Sequence, residues 1–186
     1  MEPAQNVVVY IVDDDAGVRE ALAWLLRSRR LHSELFDSAD AFAQRMLPER
    51  SLDRPCCLLL DVRMPEQSGL DLAKHLLLAH PGVPFIFLTA YGEEDVVQQA
   101  IENGAIGYLV KPVDIPQLIP AVEAAVARAA DLWKLRNTEQ QLQTALNENR
   151  EVSMAVGLLM ERRRLNRQQA FEVLRTTART QRRKIG

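Results

Sequence analysis

The sequence predicts an α/β fold: a doubly wound, five-stranded parallel sheet with helices on both faces, then a long helical linker and a small α-helical unit. Three observations predict it. Short apolar runs alternate with stretches of helical periodicity over roughly the first 130 residues, the order that a parallel sheet with crossover helices requires. The alternation then stops, and neither proline nor glycine interrupts the chain between Ala121 and Gly157. The charge also divides. Residues 161–186 carry nine basic and two acidic residues, a net +7, while the preceding 160 carry 14 basic and 23 acidic, a net −9. Segments of opposite sign suit two different tasks.

Each element has its own signal. Residues 7–12 form a β-branched run that reads as a buried strand, and Asp13, Asp14 and Asp15 follow at its end. Residues 16–26 place Val18, Ala21, Leu22, Leu25 and Leu26 on one helical face. Residues 32–36 read as a weaker strand, and Ser38 as the N-cap of a helix reaching about Met46. Asp53-Arg54-Pro55 breaks the chain before the run Leu58-Leu59-Leu60-Asp61, which Pro65 and Gly69 end. A helix over 70–78 closes at His80-Pro81-Gly82. The strand over 84–88 ends at Thr89-Ala90. A helix over 93–102 has Gly104 on its C-terminal side. The fifth strand, 107–110, runs into Lys111-Pro112, and an alanine-rich helix starts at Pro116.

The totals narrow the class. At 186 residues and 47% hydrophobic, the chain suffices for one ordinary domain and a smaller one, with a buried core. No apolar run is long enough to span a bilayer, and the N-terminus lacks the pattern of a signal peptide. Cys56 and Cys57 are adjacent and read as reduced core thiols, so a cytoplasmic location is expected. None of the three histidines, His32, His75 and His80, falls beside the strand ends, and no enzyme is expected.

Right-handed crossovers bring all strand C-termini to one edge. Asp13, Asp14, Asp61, Thr89 and Lys111 lie at such ends. Alone, Asp61 reads equally as a turn-capping aspartate, Lys111 as a surface lysine and Thr89 as a strand cap. Together they make a chemistry. Crowded carboxylates repel, and a hard divalent cation such as Mg²⁺, which prefers oxygen ligands, relieves the repulsion. One carboxylate left partly free is a nucleophile toward phosphorus. A lysine and a hydroxyl share the charge of the transferred oxygens.

The segments Val12-Asp13-Asp14, Leu60-Asp61-Val62-Arg63-Met64-Pro65 with Ser68-Gly69, Leu88-Thr89-Ala90, and Tyr108 with Lys111-Pro112 closely resemble the receiver domain of bacterial two-component response regulators. The resemblance covers residues 7 to about 125 and implies a flavodoxin-like fold. It implies that Asp61 accepts phosphate from a histidine kinase, and that Asp13 and Asp14 hold Mg²⁺ with Asp61 and the Arg63 carbonyl. Thr89 and Tyr108 match the hydroxyl and aromatic that move together on phosphorylation. Lys111-Pro112 matches a peptide bond usually cis in the family. Asp15 has no role in the pattern and reads as first-turn helix charge.

The chain then divides, on this reading, into a receiver over 1–125, a helical linker over 126–150 and an output unit over 151–186. Leu132, Leu135, Leu142, Leu146 and Asn149 follow steps of three and four if Glu139 takes one core position, a weak coiled-coil seam that would pair two copies. The competing reading is a single amphipathic helix folded back on its own receiver. Arg162-Arg163-Arg164 ends the helix, Asn166 with Gln169 makes a capping box, and Ala170, Phe171, Leu174 and Ala178 form the buried face of a second helix. Ala155, Gly157, Leu159, Met160, Ala170, Phe171, Leu174, Arg175 and Ala178 resemble the ANTAR family, antitermination output domains that bind RNA. That family has a third short helix, and on the resemblance it is missing here, since the chain stops at Lys184-Ile185-Gly186. The implied contacts to RNA hairpins are Arg162, Arg163, Arg164, Arg167, Arg175 and Arg179. The rival functions are a DNA-binding transcriptional regulator and a receiver acting only through protein contacts.

Overall fold

The computed structural model describes residues 7–47, 54–90 and 104–180. Five strands, β1 (Val8–Val12), β2 (His32–Phe36), β3 (Cys56–Asp61), β4 (Phe85–Thr89) and β5 (Gly107–Val110), form one parallel sheet in the order β2-β1-β3-β4-β5. The described helices are α1 (Ala16–Ser28), α2 (Ala39–Met46), α3 (Gly69–Ala79), α4 (Ile115–Arg163) and α5 (Arg167–Thr180). The helix expected over 93–102 lies outside the described residues. The order reverses between β1 and β3, and open α/β sheets form their ligand crevice at that reversal, beyond the strand C-termini.

Side-chain alternation builds two core layers. Val8, Tyr10, Val12, Leu58, Leu60, Phe85 and Phe87 pack with Phe42, Leu72 and Leu76 of α2 and α3. Val9, Ile11, Leu59, Ile86 and Leu88 pack with Leu22 and Leu26 of α1 and Leu118, Val122 and Val126 of α4. Strands buried on both faces read as unbroken apolar runs, which is why they were legible. The period also sets the site. Asp13 continues the parity of Val9 and Ile11, and Asp61 that of Cys57 and Leu59. The register Val12↔Leu60 makes the two aspartates neighbours one step past the strands' common register.

The chain splits into two compact units, Met1–Lys134 and Leu135–Gly186. Helix α4 has 49 residues and continues through the expected linker. Arg164, at φ 52°, takes the left-handed conformation that ends it, and Leu165 N–H donates to the Met160 carbonyl at 3.3 Å. The capping box is present: Asn166 N–H donates to Gln169 Oε1 at 3.0 Å and Gln169 N–H to Asn166 Oδ1 at 2.9 Å. A cap of this kind is worth about 1 kcal/mol. The expected buried face of α5 needs correction. Only Ala170 is fully buried; Leu174 and Ala178 are half-buried, and Phe171 is 43% exposed and lines an open, mainly apolar cavity with Val152, Val156, Gly157 and Met160. Helical periodicity put Phe171 beside Ala170, but two short helix segments do not enclose a ring of that size.

Candidate functional site

The site begins with three strand ends. Asp13 is fully buried and Asp61 and Thr89 are nearly so, whereas Asp14 is exposed. Lys111 reaches across from the end of β5: its Nζ lies 2.7 Å from Asp13 Oδ2 and 2.7 Å from Asp61 Oδ2. Its backbone N–H donates to the Thr89 carbonyl at 2.7 Å, and the Lys111–Pro112 bond is cis. Thr89 Oγ1 donates weakly to the Ala90 carbonyl at 3.4 Å. Tyr108, on β5, is 44% exposed.

The loops hold the carboxylates in place. Asp13 Oδ1 accepts from Asp15 N–H at 3.0 Å, and Asp61 Oδ1 from Arg63 N–H at 3.2 Å. Asp15 is more than first-turn charge. It is the N-cap of α1, its Oδ1 accepting from Gly17 N–H at 2.7 Å and Val18 N–H at 3.2 Å. Gly69 is fitted to Asp61 itself. A Cβ at position 69 would stand 2.0 Å from the Asp61 carbonyl oxygen, so any side chain there would push the strand end out of place. Ser68 caps α3, with Asp71 N–H donating to its hydroxyl at 3.2 Å.

The electrostatics are those of crowded carboxylates. Burial raises the Asp61 carboxyl above its ordinary value, the Lys111 hydrogen bond opposes this, and the charge of Asp13 adds to the rise. Burial works against the Lys111 ammonium, but its bonds to Asp13 and Asp61 outweigh burial and raise it. Asp13 Oδ2 is buried and makes no well-aligned hydrogen bond, so its link to Lys111 is one of charge. Ligand oxygens of Asp13, Asp14 and Asp61 lie within 4.8 Å of one another. Oxygen-only donors with an under-satisfied buried carboxylate fit a hard divalent cation, and the set could hold one. The strand ends thus gather Asp13, Asp14, Asp61, Thr89 and Lys111 as expected from sequence. Arg19, whose Nη1 donates to the Asp13 carbonyl at 2.6 Å, was not foreseen, because an arginine on an amphipathic helix reads as solvated charge.

The second unit carries the basic residues. Arg162, Arg163, Arg164, Arg167, Arg175 and Arg179 are all exposed, and Arg175 pairs with Glu172 at 3.3 Å. None of the described helices is long and apolar enough to cross a membrane.

A parallel sheet of order 2-1-3-4-5 with an acidic triad and a lysine at its reversal defines the receiver class. The chain belongs to the response regulator receiver domain family, whose model matches residues 9–123, and the ANTAR domain model matches residues 140–186. It is therefore a response regulator with a receiver followed by an ANTAR domain. Over 170 residues it is 32% identical to the transcriptional regulatory protein PdtaR of Mycobacterium tuberculosis, covering 91% of this chain and 81% of that one. It is 40% identical over 122 residues to the response regulator protein TodT of Pseudomonas putida, covering 66% of this chain and 52% of that protein, so it spans about half of TodT's length. Among solved structures, it superposes on the response regulator StyR with a TM-score of 0.71 at 28% identity, covering 96% of this chain and 93% of the other.

Proposed function

We propose that the protein is phosphorylated on Asp61 by a histidine kinase and controls gene expression by binding RNA hairpins through its ANTAR domain, as in transcription antitermination. The observation that carries the first half is the single ammonium 2.7 Å from both Asp13 and Asp61. Asp61 Oδ attacks the phosphorus of a phosphohistidine, the P–N bond breaks, and the imidazole nitrogen leaves with a proton from solvent. An acyl phosphate remains on Asp61. Lys111 and Thr89 bind the phosphoryl oxygens. Asp13, Asp14 and Asp61, with the Arg63 carbonyl, would hold Mg²⁺, which supplies charge neutralisation during transfer.

Thr89 and Tyr108 are the switch pair. Thr89 is buried at the end of β4 and Tyr108 is half-exposed on the neighbouring β5, a placement that supports a coupled movement of the two when Thr89 bonds a phosphoryl oxygen. The domain division keeps the receiver over 1–125, a linker over 126–150 and the output unit over 151–186. Along the linker Leu135, Leu142 and Leu146 are 61–66% exposed, an apolar stripe that supports pairing of two copies. The six arginines supply phosphate contacts. A cytoplasmic location and the absence of other enzyme activity complete the reading.

The test is modification with acetyl phosphate or beryllofluoride in Mg²⁺, read by intact mass or by fluorine NMR. Wild-type protein should take up one equivalent and Asp61→Asn less than about one hundredth of it, since the acceptor is the nucleophile itself. Equal uptake by both proteins would remove Asp61 from the role.

A further inference from the structure

Arg19 sits on the second turn of α1, six residues beyond Asp13, and its Nη1 donates to the Asp13 backbone carbonyl at 2.6 Å. That carbonyl lies one residue past the end of β1 and belongs to the buried acid itself. The same residue's N–H donates to the Phe36 carbonyl at 3.2 Å, and its Oδ1 receives the Asp15 N–H. Asp15 in turn caps α1. Arg19 N–H donates to the Asp15 carbonyl at 3.1 Å. The turn from Asp13 to Asp15 is therefore closed at both ends by one residue, through its backbone to Asp15 and through its guanidinium to Asp13. A charge-assisted bond of this length is among the stronger ones in a fold. It also comes from a side chain that is itself half-buried, lining a cavity with Glu20, Phe36 and Asp37 beside the end of β2.

We propose that Arg19 is a positioning residue for the cation-binding carboxylates: by tethering the Asp13 carbonyl it sets the turn that aims Asp13 and Asp14 at the cation. This rests on the phosphoryl-transfer reading above. Arg19 donates to the Asp13 backbone carbonyl and not to a carboxylate of the site. It acts through the peptide that joins the two ligands, whose rotation would move both carboxylates together.

The sign of the effect separates positioning from charge. If Arg19 acted only as a nearby positive charge, removing it would strengthen binding of a divalent cation. As a tether, removing it weakens binding, because the ligands must then be ordered on binding. Loss of an outer-shell partner commonly costs 10–100-fold in metal affinity, about the size expected here.

The experiment is a Mn²⁺ titration of the full chain, followed by electron paramagnetic resonance of the free ion, with thermal melts by circular dichroism in parallel. Arg19→Met keeps the apolar stem and removes the donor. Its Mn²⁺ affinity should fall at least tenfold while the helical signal is retained, and exchange of the Asp15 amide should speed up in the cation-free protein. Arg19→Lys, which restores a donor, should recover part of the affinity. Arg19→Met binding Mn²⁺ as tightly as wild type, or more tightly, overturns the inference while leaving the phosphoryl-transfer reading intact. Wild type failing to bind Mn²⁺ overturns both. Should Arg19→Met not fold, Arg19→Gln decides alone, since it shortens the side chain and removes the charge: a loss of threefold or more supports the tether, and a smaller loss or a gain overturns it.

Discussion

Asp61 is held where its charge is disfavoured, and that has a thermodynamic consequence. Its carboxyl is raised from an ordinary value of 3.8, chiefly by burial. A raised group adds stability below its unfolded value and loses it as pH rises through the folded one. At pH 7 the native protein therefore carries the cost of an ionised, buried carboxylate beside Asp13. Asp61→Asn removes that charge and leaves Lys111 paired with Asp13. The variant should melt higher than wild type at pH 7, with the advantage shrinking as pH falls toward 3.8 and below. Melts of both proteins from pH 3.5 to 8 check this, and an advantage that persists unchanged at low pH would assign the effect to something other than ionisation. The acceptor is thus poised for function at the expense of stability, and substitution should separate the two.

At the scale of elements, the strands and the capped helices were legible because each carried a local signal. β3 is a continuous apolar run, Ser38 and Asn166 are caps whose partners lie three residues on, and Gly104 at φ 80° takes a conformation that glycine favours. The site acids were legible by their place at strand ends. Less legible were features fixed by tertiary approach: the Asp13 tether from Arg19, the fit of Gly69 to the Asp61 carbonyl, and the exposure of Phe171. Each depends on how a turn folds back, which periodicity does not encode. The linker seam is the element whose role pairing would explain. Leu142 and Leu146 are exposed by 61% and 63% on a helix that already has its hydrogen bonds, so their burial must come from another surface. Leu142→Lys with Leu146→Lys should shift the protein from dimer to monomer in multi-angle light scattering, with helical content nearly unchanged. A wild-type protein that is already monomeric at tens of micromolar, or a double variant that remains dimeric, would refute pairing along this stripe.

For the molecule as a whole, charge is the organising asymmetry: a net −9 over the first 160 residues against +7 over the last 26. The acidic part would repel a nucleic acid and the basic part attract it, so binding of a nucleic acid is expected at the basic end alone. Binding to a phosphate backbone releases counterions, and its logarithm falls linearly with the logarithm of salt, by about 0.7 per contacted phosphate of a single strand. If Arg162, Arg163 and Arg164 each meet a phosphate, replacing all three by Ser should reduce the slope by about 2 and weaken binding to different hairpins nearly equally. The measurement is a salt series on a pool of short hairpin RNAs, with and without beryllofluoride, against a matched duplex DNA. Hairpin binding that strengthens with beryllofluoride in wild type but not in Asp61→Asn would join the two ends of the molecule into one switch. Equal or tighter binding to the duplex would favour a DNA-directed regulator. A flat salt response would mean that the arginines face a protein instead, since without phosphates there is no counterion atmosphere to release.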